Sequence, residues 1–289
     1  MKHTELAYAK INLYLNVTAR RSDGFHEIES VMQTIDLADI LHFDLTPADK
    51  KEVLLSFSSP CDLPTDEKNL IVRAANAFLL ACGENARIEI LLEKNIPMAG
   101  GLAGGSADAA ATLRALDVLL PGRLTKAALL EIAAELGSDV PFCLLGGRAL
   151  CYGRGEETVA LPIKQKRFGI LANTDETSST PAAYGALDKM YNNFDQSIRL
   201  PMDLGARNCL GALLKGEMPP FYNIFEDAVF PLCPKAEAAK ALLEKMGAEA
   251  VLMSGSGPSV FALAEDAALC EKMRSALTAK GYAARTFSF

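Results

Sequence analysis

Apolar and polar positions alternate with a period near two in five stretches of the first third of the chain: "INLYLNV" (11–17), "IESVMQTID" (28–36), "ILHFDL" (40–45), "EVLLSFS" (52–58) and "ARIEILLE" (86–93). β-Branched and aromatic residues are frequent in them, so each predicts a half-buried strand. The spacing changes to that of a helix in "NLIVRAANAFLLACG" (69–83), where Gly83 stands at the C-cap position. It does so again in "SADAAATLRALDVLL" (106–120) and "TKAALLEIAAEL" (125–136).

The pattern restarts after "GGRALCYGRGEE" (146–157), with a strand at 167–173, a polar "TDETSSTP", and helices near 181–190, 203–215 and 235–246. Strands at "AEAVLMS" and "SVFALA", then a helix and a strand, close the chain. Runs of strands followed by runs of helices predict an α+β protein. At 289 residues two domains are expected, 1–160 and 161–289.

Composition removes several classes of function. Half of the residues are apolar and 22% are charged, as in soluble proteins, and no apolar run approaches the roughly 18 residues of a membrane span. The early lysines are followed by an alternating segment and not by the continuous apolar core of a signal peptide. Seven scattered cysteines suggest no disulfide framework, which fits a cytoplasmic protein. There is no CxxC, and His26-Glu27 lacks the second histidine of HExxH, so no metal centre is expected. A net charge of −7 argues against nucleic acid as a partner. Small molecules remain, with the chain a monomer or weak homodimer.

The chemistry concentrates in "PMAGGLAGGSADAAATLRALD" (97–117). A dinucleotide fingerprint needs glycines at i, i+2 and i+5, and Leu102 and Ala103 break it; a Walker A loop needs a lysine where Ser106 stands. What survives is the physics those motifs share. Small residues let backbone N–H groups approach an oxyanion, and a helix N-terminus adds unpaired donors and positive partial charge. The candidate cradle comprises Pro97, Met98, Ala99, Gly100 and Gly101, then Leu102, Ala103, Gly104, Gly105, Ser106 and Ala107. Ser106 is read as helix cap or phosphate contact, and Asp108 as a first-turn residue favoured by the helix dipole. The bland alternative is a bare turn. "SGSGPS" (254–259) is a tight turn or a second wall of a ligand cleft; Lys10 in "AYAKINL" and Asp139 in "GSDVPF" supply a cation and a carboxylate.

Together "AYAKINL", "PMAGGLAGGSADAA" and "SGSGPS" resemble the three motifs of the GHMP small-molecule kinase family, over essentially the whole chain. "RSDGFHEIESVMQTIDLAD", "LGSDVPF" and "YGRGEE" are similar to the branch of that family acting on 4-diphosphocytidyl-2-C-methyl-D-erythritol in the non-mevalonate route to isoprenoids. The resemblance implies an N-terminal ribosomal-protein-S5-like domain, a C-terminal ferredoxin-like domain and an active site between them. It implies transfer of the γ-phosphoryl of ATP, with Mg²⁺, to the substrate's 2-hydroxyl.

By the same resemblance Asp139 is the catalytic carboxylate and Lys10 its accompanying lysine. Asn12 contacts substrate, Phe25 and Tyr184 stack on the cytosine ring, and His26 and Thr180 line it. Phe25 keeps the stacking face of a commoner tyrosine and loses its hydroxyl. Ala99 and Ala103 replace glycine of some members, which the cradle tolerates where φ is negative; Ala107 replaces a serine. A homoserine or mevalonate kinase, and a non-catalytic nucleotide-binding regulator, are the competing readings.

Overall fold

The structure, a computed structural model, describes residues 1–161, 166–194, 205–217 and 220–289. The chain forms two compact units. The first contains residues 1–9, 37–96 and 103–146; the second contains 10–36, 97–102 and 147–289. The units therefore interleave along the chain, and no single cut near residue 160 separates them. The reason is local: β1 (Lys2–Arg20) and β2 (His26–Pro47) are long strands, and each has its two halves in different units.

Two of the expected strands, 28–36 and 40–45, are one strand in β2. The "LAD" between them contains no glycine or proline, and its Asp39 is fully buried. Its carboxylate accepts the backbone N–H of Ile96 (2.7 Å) and of Asn95. A carboxylate satisfied by two backbone donors and a lysine can sit inside a strand without breaking it.

In the first unit the C-terminal half of β2 pairs antiparallel with β4 (Ala86–Glu93), from Ile40 opposite Glu93 to Pro47 opposite Ala86. β3 (Glu52–Phe57) runs parallel to β4 on its other side. Ala86, Ile88, Ile90 and Leu92 of β4 are buried on one face, as period two requires. α1 (Leu70–Cys82) follows β3; Asn69 caps its start by accepting from Ile71 N–H, and Gly83 ends it in the left-handed region with φ 70°. α2 (Gly104–Leu119) packs against α1, α3 (Lys126–Leu136) and the short α4 (Val140–Leu145). Alanines at 107, 109, 110, 111 and 115 are all buried, so α2 is apolar nearly all round and its neighbours approach closely. That is the structural use of the alanine run.

In the second unit Tyr14 and Leu15 of β1 pair parallel with β8 (Tyr222–Asn223), and the N-terminal half of β2 pairs with β5 (Arg148–Tyr152). β5 turns through "GRGE" into β6 (Glu157–Ala160), a hairpin that the glycines at 153 and 155 disguise in the sequence. Four further strands form an antiparallel sheet in the order β11-β7-β10-β9: β7 (Phe168–Asn173), β9 (Ala250–Met253), β10 (Val260–Ala264) and β11 (Ala283–Ser288). The helices are α5 (Thr180–Met190), α6 (Gly205–Leu214), α7 (Phe225–Val229), α8 (Pro234–Lys245) and α9 (Ala267–Ala279). α8 packs on β9 and β10, and α9 on β7, β10 and β11. Sheet order and connection make this a ferredoxin-like arrangement. The helix expected at 203–215 is observed from Gly205; residues 203 and 204 lie outside the described residues. No helix among the described residues is long and apolar enough to cross a membrane.

Candidate active site

In the first unit, residues 103–107 of the expected cradle form the start of α2. The helix begins at Gly104, two residues before the expected cap, and Ala103 precedes it with φ 56° and no side-chain cap. Ser106 is thus inside the first turn and is not the cap. The first helical bond runs from Ala107 N–H to Ala103 O at 2.8 Å. The N–H groups of Gly104, Gly105 and Ser106 therefore have no acceptor within the helix. Ala99 also has positive φ, 53°, so the condition of negative φ fails at both alanines. Each carries left-handed strain of about 1 to 2 kcal/mol.

Asp108 is not a solvated first-turn residue either. It is 2% exposed, and its Oδ2 accepts from Lys94 Nζ at 2.8 Å. The same ammonium donates to Asp39 Oδ2, so one lysine after β4 ties β2 to α2. A Cβ on Gly104 would come within 3.0 Å of Lys94 Nζ and 3.2 Å of Ile96 Cγ2. Glycine at 104 makes room for this clamp. Asp108 Oδ1 is buried with no hydrogen-bond partner among the described residues. Burial pushes the Asp108 carboxyl up to about 7, Lys94 pulls it down, and Asp39 adds to the rise. Asp139 stands immediately before α4, with Pro141 in that helix's first turn, and its carboxylate makes no capping bond.

In the second unit Lys10 is 3% exposed and donates to Asn12 Oδ1 at 2.7 Å. Asn12 Oδ1 also accepts the Gly255 N–H at 3.0 Å, while its Nδ2 donates to Ser30 Oγ at 2.8 Å. Ser30 in turn donates to Tyr14 O. Asn12, expected to contact substrate, is thus buried with both ends of its amide engaged by protein. It orients Lys10 and holds the "SGSGPS" loop.

Asn223 holds the same loop by donating to Met253 O and Gly255 O. The loop lies against residues 100 and 101: Ser254 Oγ donates to Gly101 O at 3.0 Å, and a Cβ on Gly101 would fall 1.9 Å from Ser254 O. One on Gly100 would fall 2.4 Å from Ser259 Oγ. Half of the bare backbone therefore serves loop-to-loop packing.

Thr180 Oγ1 lies 3.0 Å from Ser256 Oγ. His26 is buried, with Nε2 2.7 Å from Asp188 Oδ1, and its ring stacks on Tyr184 at 4.6 Å and 24°. One face of Tyr184, expected to be open for a base, is covered by His26. Phe25 is exposed, with the Arg154 guanidinium 5.0 Å from its ring centroid.

Asp39, Lys94, Asn223, Asp188 and Arg154 escape sequence reasoning, because each acts on a partner distant in sequence; Asp39 and Arg154 do so even though they lie inside quoted motifs. The only available signal was a charged residue inside an apolar run, as at Asp39.

The profile of the GHMP kinases N terminal domain matches residues 69–147, and that of the GHMP kinases C terminal matches 201–283, together more than half of the chain. The chain belongs to the GHMP kinase family. Within it, this GHMP kinase is 41% identical over 267 residues to a 4-diphosphocytidyl-2-C-methyl-D-erythritol kinase of Exiguobacterium sibiricum, covering 90% of this chain and 88% of the relative. A protein of that name from Brevibacillus brevis is 39% identical over 277 residues, covering 96% and 92%. A crystal structure of 4-(cytidine 5'-diphospho)-2C-methyl-D-erythritol kinase superposes with a TM-score of 0.79 at 35% identity, covering 99% of this chain and 98% of that one.

Two predictions concern stability. The native state keeps an Asp108 proton that the unfolded chain loses, so this group's contribution is fully present below about pH 4 and is lost as pH rises to about 7. The melting temperature of the wild type relative to Asp108→Asn is expected to fall between about pH 4 and 7; parallel melting curves across that window would refute this. Gly101→Ala is expected to destabilise the protein by at least about 3 kcal/mol in denaturant titration, because backbone and not a flexible side chain fills the space.

Proposed function

We propose that this GHMP kinase transfers the γ-phosphoryl of ATP to the 2-hydroxyl of 4-diphosphocytidyl-2-C-methyl-D-erythritol, in the non-mevalonate route to isoprenoids. The observation that carries the reading is the 41% identity, over nine-tenths of the chain, to a relative bearing that substrate in its name. The buried Lys10 network, the open N-terminus of α2, the exposed Phe25 and the stacked His26 and Tyr184 rings support it.

Asp139 receives the proton of the attacking hydroxyl, and Lys10 offsets the negative charge that develops on the reacting oxygens. The hydrogen bond from Lys10 to Asn12 fixes where that charge lies, which matters because phosphoryl transfer depends on positioning and electrostatics more than on covalent chemistry. The residues 97–107 bind the triphosphate, with the N–H groups of Gly104, Gly105 and Ser106 as donors. Gly105 is exposed, and a Cβ there would meet nothing nearer than Leu70 Cδ1 at 3.7 Å, so this glycine is not required by packing.

Mg²⁺ fits this arrangement as a companion of the triphosphate, since it usually takes one or two protein oxygens, and the Ser106 hydroxyl is the candidate. When bound it supplies neutralisation of phosphate charge. Phe25 stacks on the cytosine, with His26, Thr180 and Tyr184 around it and Asn12 orienting Lys10. In functional terms residues 1–160 carry ATP binding and 161–289 complete the acceptor side. A cytoplasmic monomer or weak homodimer is part of the same reading.

ADP release with ATP and Mg²⁺ tests the proposal when 4-diphosphocytidyl-2-C-methyl-D-erythritol is compared with homoserine and mevalonate. Release with the cytidine compound alone supports it; release with another alcohol overturns it. Asp139→Ala is expected to lower kcat by about 10² to 10⁴ while leaving ATP affinity within about twofold, as measured by nucleotide titration. Gly105→Ala is expected to fold normally and to raise KM for ATP about tenfold. An unchanged KM would remove Gly105 from the cradle.

A further inference from the structure

A histidine ring offers a partner either a donor or an acceptor, and the group bonded to its other nitrogen decides which. His26 Nε2 lies 2.7 Å from Asp188 Oδ1, and a carboxylate can only accept there. The second oxygen of Asp188 lies 3.6 Å from the Arg20 guanidinium, so the carboxylate is held from both sides. The ring plane is fixed as well, by Tyr184 stacked at 4.6 Å and Phe194 edge-on at 5.6 Å. His26 is only 8% exposed, so ring rotation would have to displace both aromatics.

We propose that Asp188 is a specificity-determining positioning residue: by taking the Nε2 proton it leaves His26 Nδ1 as a hydrogen-bond acceptor, matched to a ring amino group and mismatched to a ring carbonyl. This rests on the cytidine reading above. Cytosine presents an exocyclic amine where uracil presents an oxygen, so the arrangement selects a cytidine diphosphate ester over its uridine counterpart. An acceptor facing the uracil oxygen leaves two lone pairs opposed and both desolvated, which is how a polar site rejects an analogue. Asp188 lies 162 positions from His26 and touches no base itself, so no motif contains the pair.

The chain has three histidines, His3, His26 and His42, so nitrogen-15 NMR of the imidazoles in the uncomplexed protein resolves the tautomer directly. The wild type is expected to show His26 protonated at Nε2 and bare at Nδ1, and Asp188→Ala to show a mixture. In parallel, kcat/KM is measured with 4-diphosphocytidyl- and 4-diphosphouridyl-2-C-methyl-D-erythritol. The ratio is expected to fall at least about tenfold in Asp188→Ala, one hydrogen bond's worth, with KM for ATP unchanged. If Asp188→Ala melts below the assay temperature, Asp188→Asn is read instead, because its amide can turn to donate to Nε2 and reverse the tautomer. A wild-type ring protonated at Nδ1, or an unchanged ratio in a folded variant, overturns the proposal. Failure of the wild type to use either nucleotide ester overturns the functional reading instead, and the imidazole spectrum alone then decides whether Asp188 holds the tautomer.

Discussion

A lysine ammonium taken out of water must find acceptors or give up its charge, and each unit of this protein is arranged around one such group. In the second unit it is Lys10, whose acceptor, Asn12 Oδ1, also receives the Gly255 N–H. In the first it is Lys94, held between Asp39 and Asp108. An acceptor of Lys10 is a neutral amide, and the same oxygen fixes the 254–259 loop through Gly255. Lys94 has two carboxylates, more than it needs, and the excess appears as an Asp108 oxygen with no hydrogen-bond partner among the described residues and a raised Asp108 carboxyl.

The glycine-rich stretch divides its work between these settings. Gly100 and Gly101 are glycine because "SGSGPS" packs onto them; Gly104 is glycine because Lys94 and Ile96 lie over it. Gly105 alone of these has space for a methyl group, so packing does not account for its missing side chain. The two alanines with positive φ are strained where glycine would relax. A functional loop tolerates such strain when the surroundings over-determine it, and here the residues on either side are pinned by hydrogen bonds at Gly101 and by helix α2.

Stacked rings make up another part of the second unit. His26, Tyr184 and Phe194 support one another, with Phe225 edge-on to Tyr184 at 4.8 Å, so the histidine is part of a packed cluster and not a solvated turn residue. Phe25, adjacent in sequence, remains half exposed and backed by Arg154. One ring is thereby exposed while its neighbour is locked.

The amino-acid sequence determined by itself what depends on near neighbours. Period two marked β4 at its observed limits, Gly83 marked the end of α1, and the small residues of 97–107 marked a helix N-terminus. The family motifs singled out Lys10, Asp139 and His26 as candidates. Only the tertiary structure decided that Asp39 continues a strand, that Asn12 points into protein, that Asp108 is buried against Lys94, and that Asp188 holds His26. Each of those outcomes depends on a partner between 14 and 162 positions away. A local pattern records which face of an element is apolar, but a buried polar group is decided by whichever distant donor or acceptor the fold brings to it.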